Sequence, residues 1–341
     1  MIRVAVIGAG HWGPNLIRNF HDDARSEVLW VIDRDATRLA EVRARFAGVA
    51  TSQDLADAIG DDRVDAVVVA TPTITHYEIV KAALGAGKHV LVEKPIATAA
   101  RHAEELCALA VQARRVLMVG HVFLYNTAVR EVKRYLDAGE LGHVYYVSLV
   151  RTNLGPIRMD VNAAWDLASH DIAIVNYWFD SEPERATAYG GAWLNAGIED
   201  AVFATLRYPG GMLAHLHASW LHPRKARDVT VVGDRRMLTF DDLDHTEPLR
   251  IYDKQVTETR TAPAFIDTFA SFRASVRDGD ITIPRITPGE PLRAECQHFL
   301  ECIASGTEPL TGGREALAVV RVLEAMQRSL QHGGREEQVA R

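Results

Sequence analysis

The chain is 341 residues long, room for two domains at roughly 150 residues each. It is 48% hydrophobic and 24% charged, the balance of a globular protein with a core, and its net charge of −7 disfavours nucleic acid as a partner while still allowing a local basic patch for a small phosphate. No apolar run approaches the roughly 18 residues that span a bilayer, and Met1 leads directly into a β-branched strand pattern instead of a secretory leader, so a cytoplasmic location and no membrane partner are expected.

In chain order, short β-branched runs stand at Val4–Ile7, Val28–Ile32, Val64–Val69, His89–Val92 and Val116–Val119. Between them, apolar residues recur three and four apart at Leu16–Phe20, Leu39–Phe46, Tyr77–Leu84 and Ala103–Val111, the spacing of amphipathic helices. Strand and helix in alternation predict βαβ units on a parallel sheet, an α/β domain over residues 1–120. After Gly120 the pattern changes. A helix is expected at Asn126–Ala138, a strand at His143–Arg151, a loop over Arg151–Asn162 and a helix at Trp165–Phe179. Strand-like runs follow at Arg185–Tyr189, Ala201–Tyr208, Met212–Ser219, Asp228–Val232 and Met237–Phe240, with Pro209-Gly210-Gly211 as a turn. Two late helices are expected at Leu292–Ser305 and Arg314–Leu330. Residues 121–330 therefore predict an α+β domain on a large, mostly antiparallel open sheet, with 331–341 as a flexible tail.

Gly8-Ala9-Gly10-His11-Trp12-Gly13 is a GxGxxG turn placed directly after the first strand and opening the first helix. The first glycine permits the tight turn, the second lets backbone approach a pyrophosphate, and the third allows close helix–strand packing. The helix N-terminus favours the phosphate charge. Asp33 ends the second strand at the distance the dinucleotide fingerprint requires and can accept from ribose hydroxyls. A phosphate on the ribose 2′ oxygen would meet its charge, so NAD is expected over NADP, although Arg34 and Arg38 keep NADP open.

The chain continues with Ala70-Thr71-Pro72-Thr73-Ile74-Thr75-His76 and then Gly87-Lys88-His89-Val90-Leu91-Val92-Glu93-Lys94-Pro95. With the glycine turn, these segments resemble the Gfo/Idh/MocA oxidoreductase family along nearly the whole chain. The resemblance implies a Rossmann domain followed by an α/β domain with a large open sheet. Gly120-His121-Val122-Phe123-Leu124-Tyr125-Asn126 and Trp165-Asp166-Leu167-Ala168-Ser169-His170-Asp171 resemble a branch linked to amino-sugar biosynthesis, similar to nucleotide-sugar 3-dehydrogenases.

Oxidising a secondary alcohol needs a group to take the hydroxyl proton and a nicotinamide to accept hydride. Lys94 lies at the carboxyl end of a strand, where ligands bind in open α/β sheets. Asp166 and His170 are four apart on an expected helix, share a face and match the family's Asp-x-x-x-His element, so His170 is the candidate base and Asp166 an orienting group. Whether Lys94 or His170 removes the proton stays open. By resemblance, Thr71, Pro72 and His76 line the cofactor, with helix capping as the other reading of His76, and Glu93 stands near the nicotinamide ribose. Trp12 and His11 lie in the glycine turn itself. Tyr125, Asn126, Arg151, Asn153, Arg158, Asp160 and Asn162 are expected around the substrate, with plain solvent exposure as the alternative for each.

Cys107, Cys296 and Cys302 have no CxxC spacing and read as reduced thiols. His215, His217 and His222 lack an accompanying carboxylate or cysteine and read as sheet-surface residues, so no metal is expected. The function expected is NAD-dependent oxidation of a ring hydroxyl, at C3 of a nucleotide-linked or glycosidic amino sugar, giving a ketosugar. The alternatives are an NADPH-dependent ketosugar reductase, an inositol-type dehydrogenase and a non-catalytic cofactor-sensing regulator. Alternating apolar residues at Val202, Ala204 and Leu206, and at Leu213 and Leu216, suggest an uncovered sheet face and hence a homo-oligomer, a dimer or tetramer.

Overall fold

The computed structural model describes residues 1–256 and 276–340. They divide into two compact units, one of Met1–Tyr125 with Glu290–Glu324 and one of Asn126–Gly289 with Ala325–Arg341.

The first unit runs β1 (Ile2–Ile7), α1 (Gly13–His21), β2 (Ser26–Ile32), α2 (Ala36–Arg45), β3 (Ala50–Ser52), α3 (Leu55–Ile59), β4 (Ala66–Val69), α4 (His76–Gly85), β5 (His89–Glu93), α5 (Ala100–Ala113) and β6 (Leu117–Gly120). Its six strands are parallel in the order β3-β2-β1-β4-β5-β6. The order reverses between β1 and β4, which is where such sheets bind ligands beyond their carboxyl ends. Every residue of β4 is buried, as a central strand covered on both faces requires. β3 and α3 are too short to give a readable period in the sequence.

The second unit runs α6 (Thr127–Asp137), β7 (Val144–Leu154), a π-helical turn at Ala164–Ala168, α7 (Ser169–Phe179), β8 (Arg185–Gly191), β9 (Ala201–Arg207), β10 (Leu213–Ser219), β11 (Leu221–Gly233), β12 (Met237–Asp241), β13 (Leu249–Val256) and β14 (Val276–Thr282). Its sheet order is β14-β13-β12-β11-β7-β10-β9-β8-β15, the last strand being Glu337–Gln338, and only the β7–β10 pair is parallel. The Trp178 indole N–H donates to the Val129 carbonyl at 2.9 Å and binds α7 to α6. The Tyr208 hydroxyl donates to Asn176 Oδ1 at 2.8 Å and binds the end of β9 to α7.

The chain closes with α8 (Pro291–Ser305), α9 (Gly313–Gln331) and β15 (Glu337–Gln338). Here the contacts divide the chain differently from the expected single domain over 121–330. Phe299 and Leu300 of α8 are buried in the same core as Leu16, Ile17 and Phe20 of α1, and the Phe20 and Phe299 rings meet edge to face at 6.3 Å. Residues 290–324 therefore belong with the dinucleotide unit. Thr311 and Gly312 also cap the open edge of β6: the Val119 N–H donates to the Thr311 carbonyl at 2.8 Å. The tail expected to be flexible is also corrected. β15 pairs with β8 at the other sheet's edge, and Val339 is buried.

Two more expectations change. The expected loop over Arg151–Asn162 starts later, because β7 runs on to Leu154. On the wide sheet, Val202, Ala204, Leu206 and Leu216 are buried on the inner face, so they do not form the open one. The open face carries Tyr146, Tyr189, Phe203, Leu213, His215 and His217, in which aromatic and histidine side chains break the simple apolar alternation.

The inner face of the sheet also carries a buried ion pair. Arg151 of β7 reaches Asp171 of α7 at 2.6 Å, with the side chains 7% and 3% exposed. Removing one member leaves a buried charge without its counter-ion. Arg151→Met is expected to cost about 3–5 kcal/mol in denaturant unfolding, and adding Asp171→Leu to it should recover most of that loss.

Candidate active site

The turn from β1 into α1 is crowded by backbone. Gly8 has φ +100°, and a Cβ there would lie 2.6 Å from the Ala70 carbonyl oxygen. A Cβ on Gly13 would lie 2.2 Å from the Gly8 carbonyl oxygen, whereas Gly10 has only the Arg38 guanidinium nearby, at 3.5 Å. Two glycines are therefore needed for packing, and the third leaves an open approach to the backbone. The N-terminus of α1 has no side-chain cap, so its amide dipoles remain available to an anion. His11 and Trp12 are exposed beside it. These features fit a dinucleotide pyrophosphate.

Asp33 follows β2, and its carboxylate is held by backbone. Oδ2 accepts from the Ala9 N–H at 2.7 Å and Oδ1 from the Asp35 N–H at 2.8 Å. A carboxylate has about four acceptor positions, so two remain for ribose hydroxyls. Arg38 stands 3.7 Å from Asp33, and Arg34 is exposed. After β4, the Thr75 hydroxyl donates to Thr71 Oγ1 at 2.7 Å, and Pro72 is exposed. His76 is buried, with Nδ1 at 2.8 Å from the Pro95 carbonyl oxygen and Nε2 at 2.9 Å from that of Thr71. It ties the segment after β4 to the segment after β5, a task that neither sequence reading of this residue contained.

Beyond β5 and β6 a cluster of ionisable groups is drawn together. Glu93 is partly exposed and pairs in register with Gly120. A Cβ on Gly120 would come within 3.1 Å of Glu93 Oε2, so the carboxyl lies over a bare α-carbon. Burial pushes Glu93 up to about 7, opposed by the neighbouring Lys94 ammonium and by a backbone hydrogen bond. His121 is buried, both ring nitrogens lack a hydrogen-bond partner among the described residues, and burial followed by Lys94 pushes it down to about 3. It is therefore a neutral imidazole at neutral pH. Glu295 of α8 is 1% exposed, and burial followed by Glu93 pushes its carboxyl well above the usual range. No local signal marks Glu295, since a single glutamate in an amphipathic helix reads as a surface residue.

In the second unit Asp166 lies in the π-helical turn, and His170 follows in the first turn of α7. The single helix expected over Trp165–Phe179 is thus two segments, and a π turn of this kind often marks a functional position. Asp166 is held on both oxygens: Arg158 donates to Oδ1 at 3.0 Å and the buried Trp220 indole to Oδ2 at 3.1 Å. Arg158 also grips Asp160 through two bonds, of 2.9 and 2.6 Å. His170 is partly exposed.

Several expected substrate residues have other work. Tyr125 is 2% exposed, with its hydroxyl 3.2 Å from Thr311 Oγ1. Asn126 caps α6, accepting from the Ala128 N–H at 2.8 Å and donating to Asp242 at 2.9 Å. Asn162 is buried, donates to Glu199 and Gln327, and accepts from the Trp165 N–H. Arg151 is in its ion pair with Asp171. Asn153 donates to the Gly155 carbonyl. Arg158, Asp160 and Asp166 form one connected group, which the sequence named but could not join.

A family model described as the oxidoreductase family, NAD-binding Rossmann fold, matches residues 2–121, and one for the GFO/IDH/MocA C-terminal domain matches residues 129–239. UDP-N-acetylglucosamine 3-dehydrogenase of Acidithiobacillus ferrooxidans is 29% identical, over 97% of this chain and 99% of its own. Scyllo-inositol 2-dehydrogenase (NAD(+)) of Bacillus subtilis is 24% identical, over 97% of this chain and 95% of its own. Among solved structures, GenD2 from gentamicin A biosynthesis, in complex with NAD, superposes with a TM-score of 0.82 at 25% identity, covering 100% of this chain and 97% of that one. The first unit is an NAD(P)-binding Rossmann fold, and the protein is an oxidoreductase of hydroxyl groups. The chain belongs to the Gfo/Idh/MocA oxidoreductase family.

His76→Ala would leave two carbonyl groups without the imidazole between them, one of the bonds being fully buried. The expected cost is about 1–3 kcal/mol of stability per buried group left unsatisfied, measured by chemical denaturation. Gly13→Ala is expected to abolish dinucleotide binding in titration calorimetry, because its methyl meets backbone.

Proposed function

We propose that the protein uses NAD to oxidise a secondary hydroxyl of a sugar ring, at C3 of a nucleotide-linked or glycosidic amino sugar, giving a ketosugar. The observation that carries this reading is Lys94 at the carboxyl end of β5, on the same sheet edge as the glycine turn and Asp33, in a chain that aligns end to end with an amino-sugar 3-dehydrogenase. Bound dinucleotide supplies hydride acceptance. Lys94 donates a hydrogen bond to the substrate oxygen and stabilises its developing charge, and Lys94 and His170 are the two groups we assign to the hydroxyl proton. Asp166, held by Arg158 and Trp220, orients hydroxyls of the ring. Arg158, Asp160 and Asn153 are the proposed substrate contacts of the β7–π-turn segment.

Asp33 supports NAD over NADP, because a 2′-phosphate would meet a carboxylate that backbone amides hold in place. A cyclitol is the second substrate reading, favoured by the alignment of nearly the whole chain with an inositol dehydrogenase. A cytoplasmic location belongs to the same proposal and is supported by three free thiols. Among the described residues no helix is long and apolar enough to cross a membrane. We also assign the open sheet face, with Tyr189 59% and Phe203 45% exposed, to a homo-oligomer interface. Sedimentation at micromolar concentration should give a dimer or tetramer, and a monomer would reject the assignment.

The test is NADH formation across UDP-amino sugars, amino-sugar glycosides and free cyclitols. Turnover of UDP-amino sugars or amino-sugar glycosides supports the first reading, turnover confined to cyclitols supports the second, and tighter binding of NADP than NAD rejects the cofactor assignment. Lys94→Ala and His170→Ala should each lower kcat/KM by about 100-fold or more. Asp33→Ala should weaken NAD binding by about 10-fold, the loss of a hydrogen bond to a charged group.

A further inference from the structure

We propose that Trp220 is a positioning residue for Asp166: its indole N–H fixes the carboxylate that meets the sugar, and does so without neutralising the charge. Trp220 stands between β10 and β11 and is 0% exposed. All three of its polar groups are engaged. Its backbone N–H donates to the Asp200 carbonyl at 2.9 Å, its carbonyl accepts from the Gly155 N–H at 3.0 Å, and its indole N–H donates to Asp166 Oδ2 at 3.1 Å. Any residue with a backbone N–H could form the first two bonds. The bond to Asp166 alone requires the indole.

Packing does not account for the choice of partner. A buried indole N–H needs an acceptor, and a backbone carbonyl is enough. Trp178, equally deep in the same unit, donates to the Val129 carbonyl in that way. Trp220 instead meets a carboxylate whose side chain is 18% exposed, one that a ligand can also reach. The frame behind the indole is anchored on two sides. On one, Asp200 Oδ2 accepts the Trp193 and Leu194 N–H groups at 2.7 and 2.9 Å, and the Asp200 N–H donates to the Gly191 carbonyl at 2.8 Å. On the other, Gly155 opens the segment that carries Arg158 and Asp160.

The two donors on Asp166 do different work. A carboxylate held on one oxygen can still turn about its Cβ–Cγ bond, whereas donors on both oxygens fix its plane. Arg158 takes Oδ1 at 3.0 Å, but its side chain is 26% exposed and it also grips Asp160 through two bonds. It is a mobile cation shared between two carboxylates. The indole is buried, neutral and has one hydrogen to give. It holds the carboxylate in place and leaves it negative, an acceptor for the hydroxyls of a ring. Without the indole N–H, Asp166 is left to follow Arg158. The inference deepens the dehydrogenase reading and rests on it for the sugar contact. The hydrogen bond itself is independent of any substrate.

Trp220→Phe keeps a ring in the core and removes the donor. In the full chain it is expected to raise the KM for the sugar by about 10-fold, the loss of a hydrogen bond to a charged group, with the KM for NAD unchanged. An unchanged sugar KM, or a rise in both KM values together, overturns the proposal. A double-mutant cycle with Asp166→Ala separates positioning from packing: once the carboxylate is gone, Trp220→Phe should cost less than about 2-fold, and a second loss of about 10-fold there overturns the proposal. The third measurement needs no turnover and no change at Trp220. The indole N–H resonance of Trp220, assigned by elimination among the tryptophans of the chain, is expected to shift in Asp166→Ala. In the wild type it should shift when a sugar that yields NADH is added and stay in place with NAD alone. A resonance unmoved in Asp166→Ala overturns the proposal, and one unmoved by the sugar removes the positioning role even if Trp220→Phe fails to fold. A protein that reduces no NAD with any substrate rejects the dehydrogenase reading, and the Asp166→Ala spectrum still decides on the bond.

Discussion

The dinucleotide unit depends on one close approach of backbone to backbone, at the turn from β1 into α1. Gly13 sits against the carbonyl of Gly8, and Gly8 against that of Ala70 at the end of β4. No side chain fits at either place. The approach sets where α1 begins, directs its uncapped N-terminus over the edge of the sheet, and brings the Ala9 N–H to the Asp33 carboxylate. The candidate cofactor residues are consequences of that packing, because each lies at the carboxyl end of a neighbouring parallel strand.

The same sheet edge concentrates charge where water is scarce. Glu93 is raised toward neutrality by burial, His121 is held neutral, and Glu295 closes the cluster from a helix nearly two hundred positions away in sequence. Elsewhere in the same unit Lys88 donates to two carbonyls and Ser26 to the Phe20 carbonyl, and Arg321 Nε is the other buried group without a hydrogen-bond partner among the described residues. Unsatisfied groups are therefore not a general feature of the unit. Two of the three, His121 and Glu295, are acted on by Lys94 and by Glu93 respectively, as expected where ionisation is tuned for function.

The second unit handles its charges differently. Asp166 is engaged on both oxygens by Arg158 and Trp220, and Asp171 is bound by Arg151. These carboxylates are anchored by donors, so the acidic member of the Asp-x-x-x-His element is a fixed hydrogen-bonding group, and the π turn that carries it sets its spacing to His170. Apart from the Arg151–Asp171 pair, the wide sheet beneath keeps its inner face largely apolar and leaves aromatic and histidine side chains on the outer one.

Local pattern was enough for much of this. β-branched runs, helical periodicity and the glycine turn with Asp33 were legible because they depend on neighbours a few residues apart: strand preference, the two backbone periods and the lack of a side chain at a tight turn. Lys94 and the Asp166–His170 pair became candidates through resemblance. What tertiary structure alone decided involves residues distant in the chain. α8 joined the first unit because Phe299 fills space beside Phe20. Asn126, Asn162, Arg151 and Tyr125 took caps, ion pairs and buried bonds because partners arrived from elsewhere in the fold. Glu295 became an interior acid because the helix face that carries it was covered, and burial is a property of the packed chain that no local stretch of sequence contains.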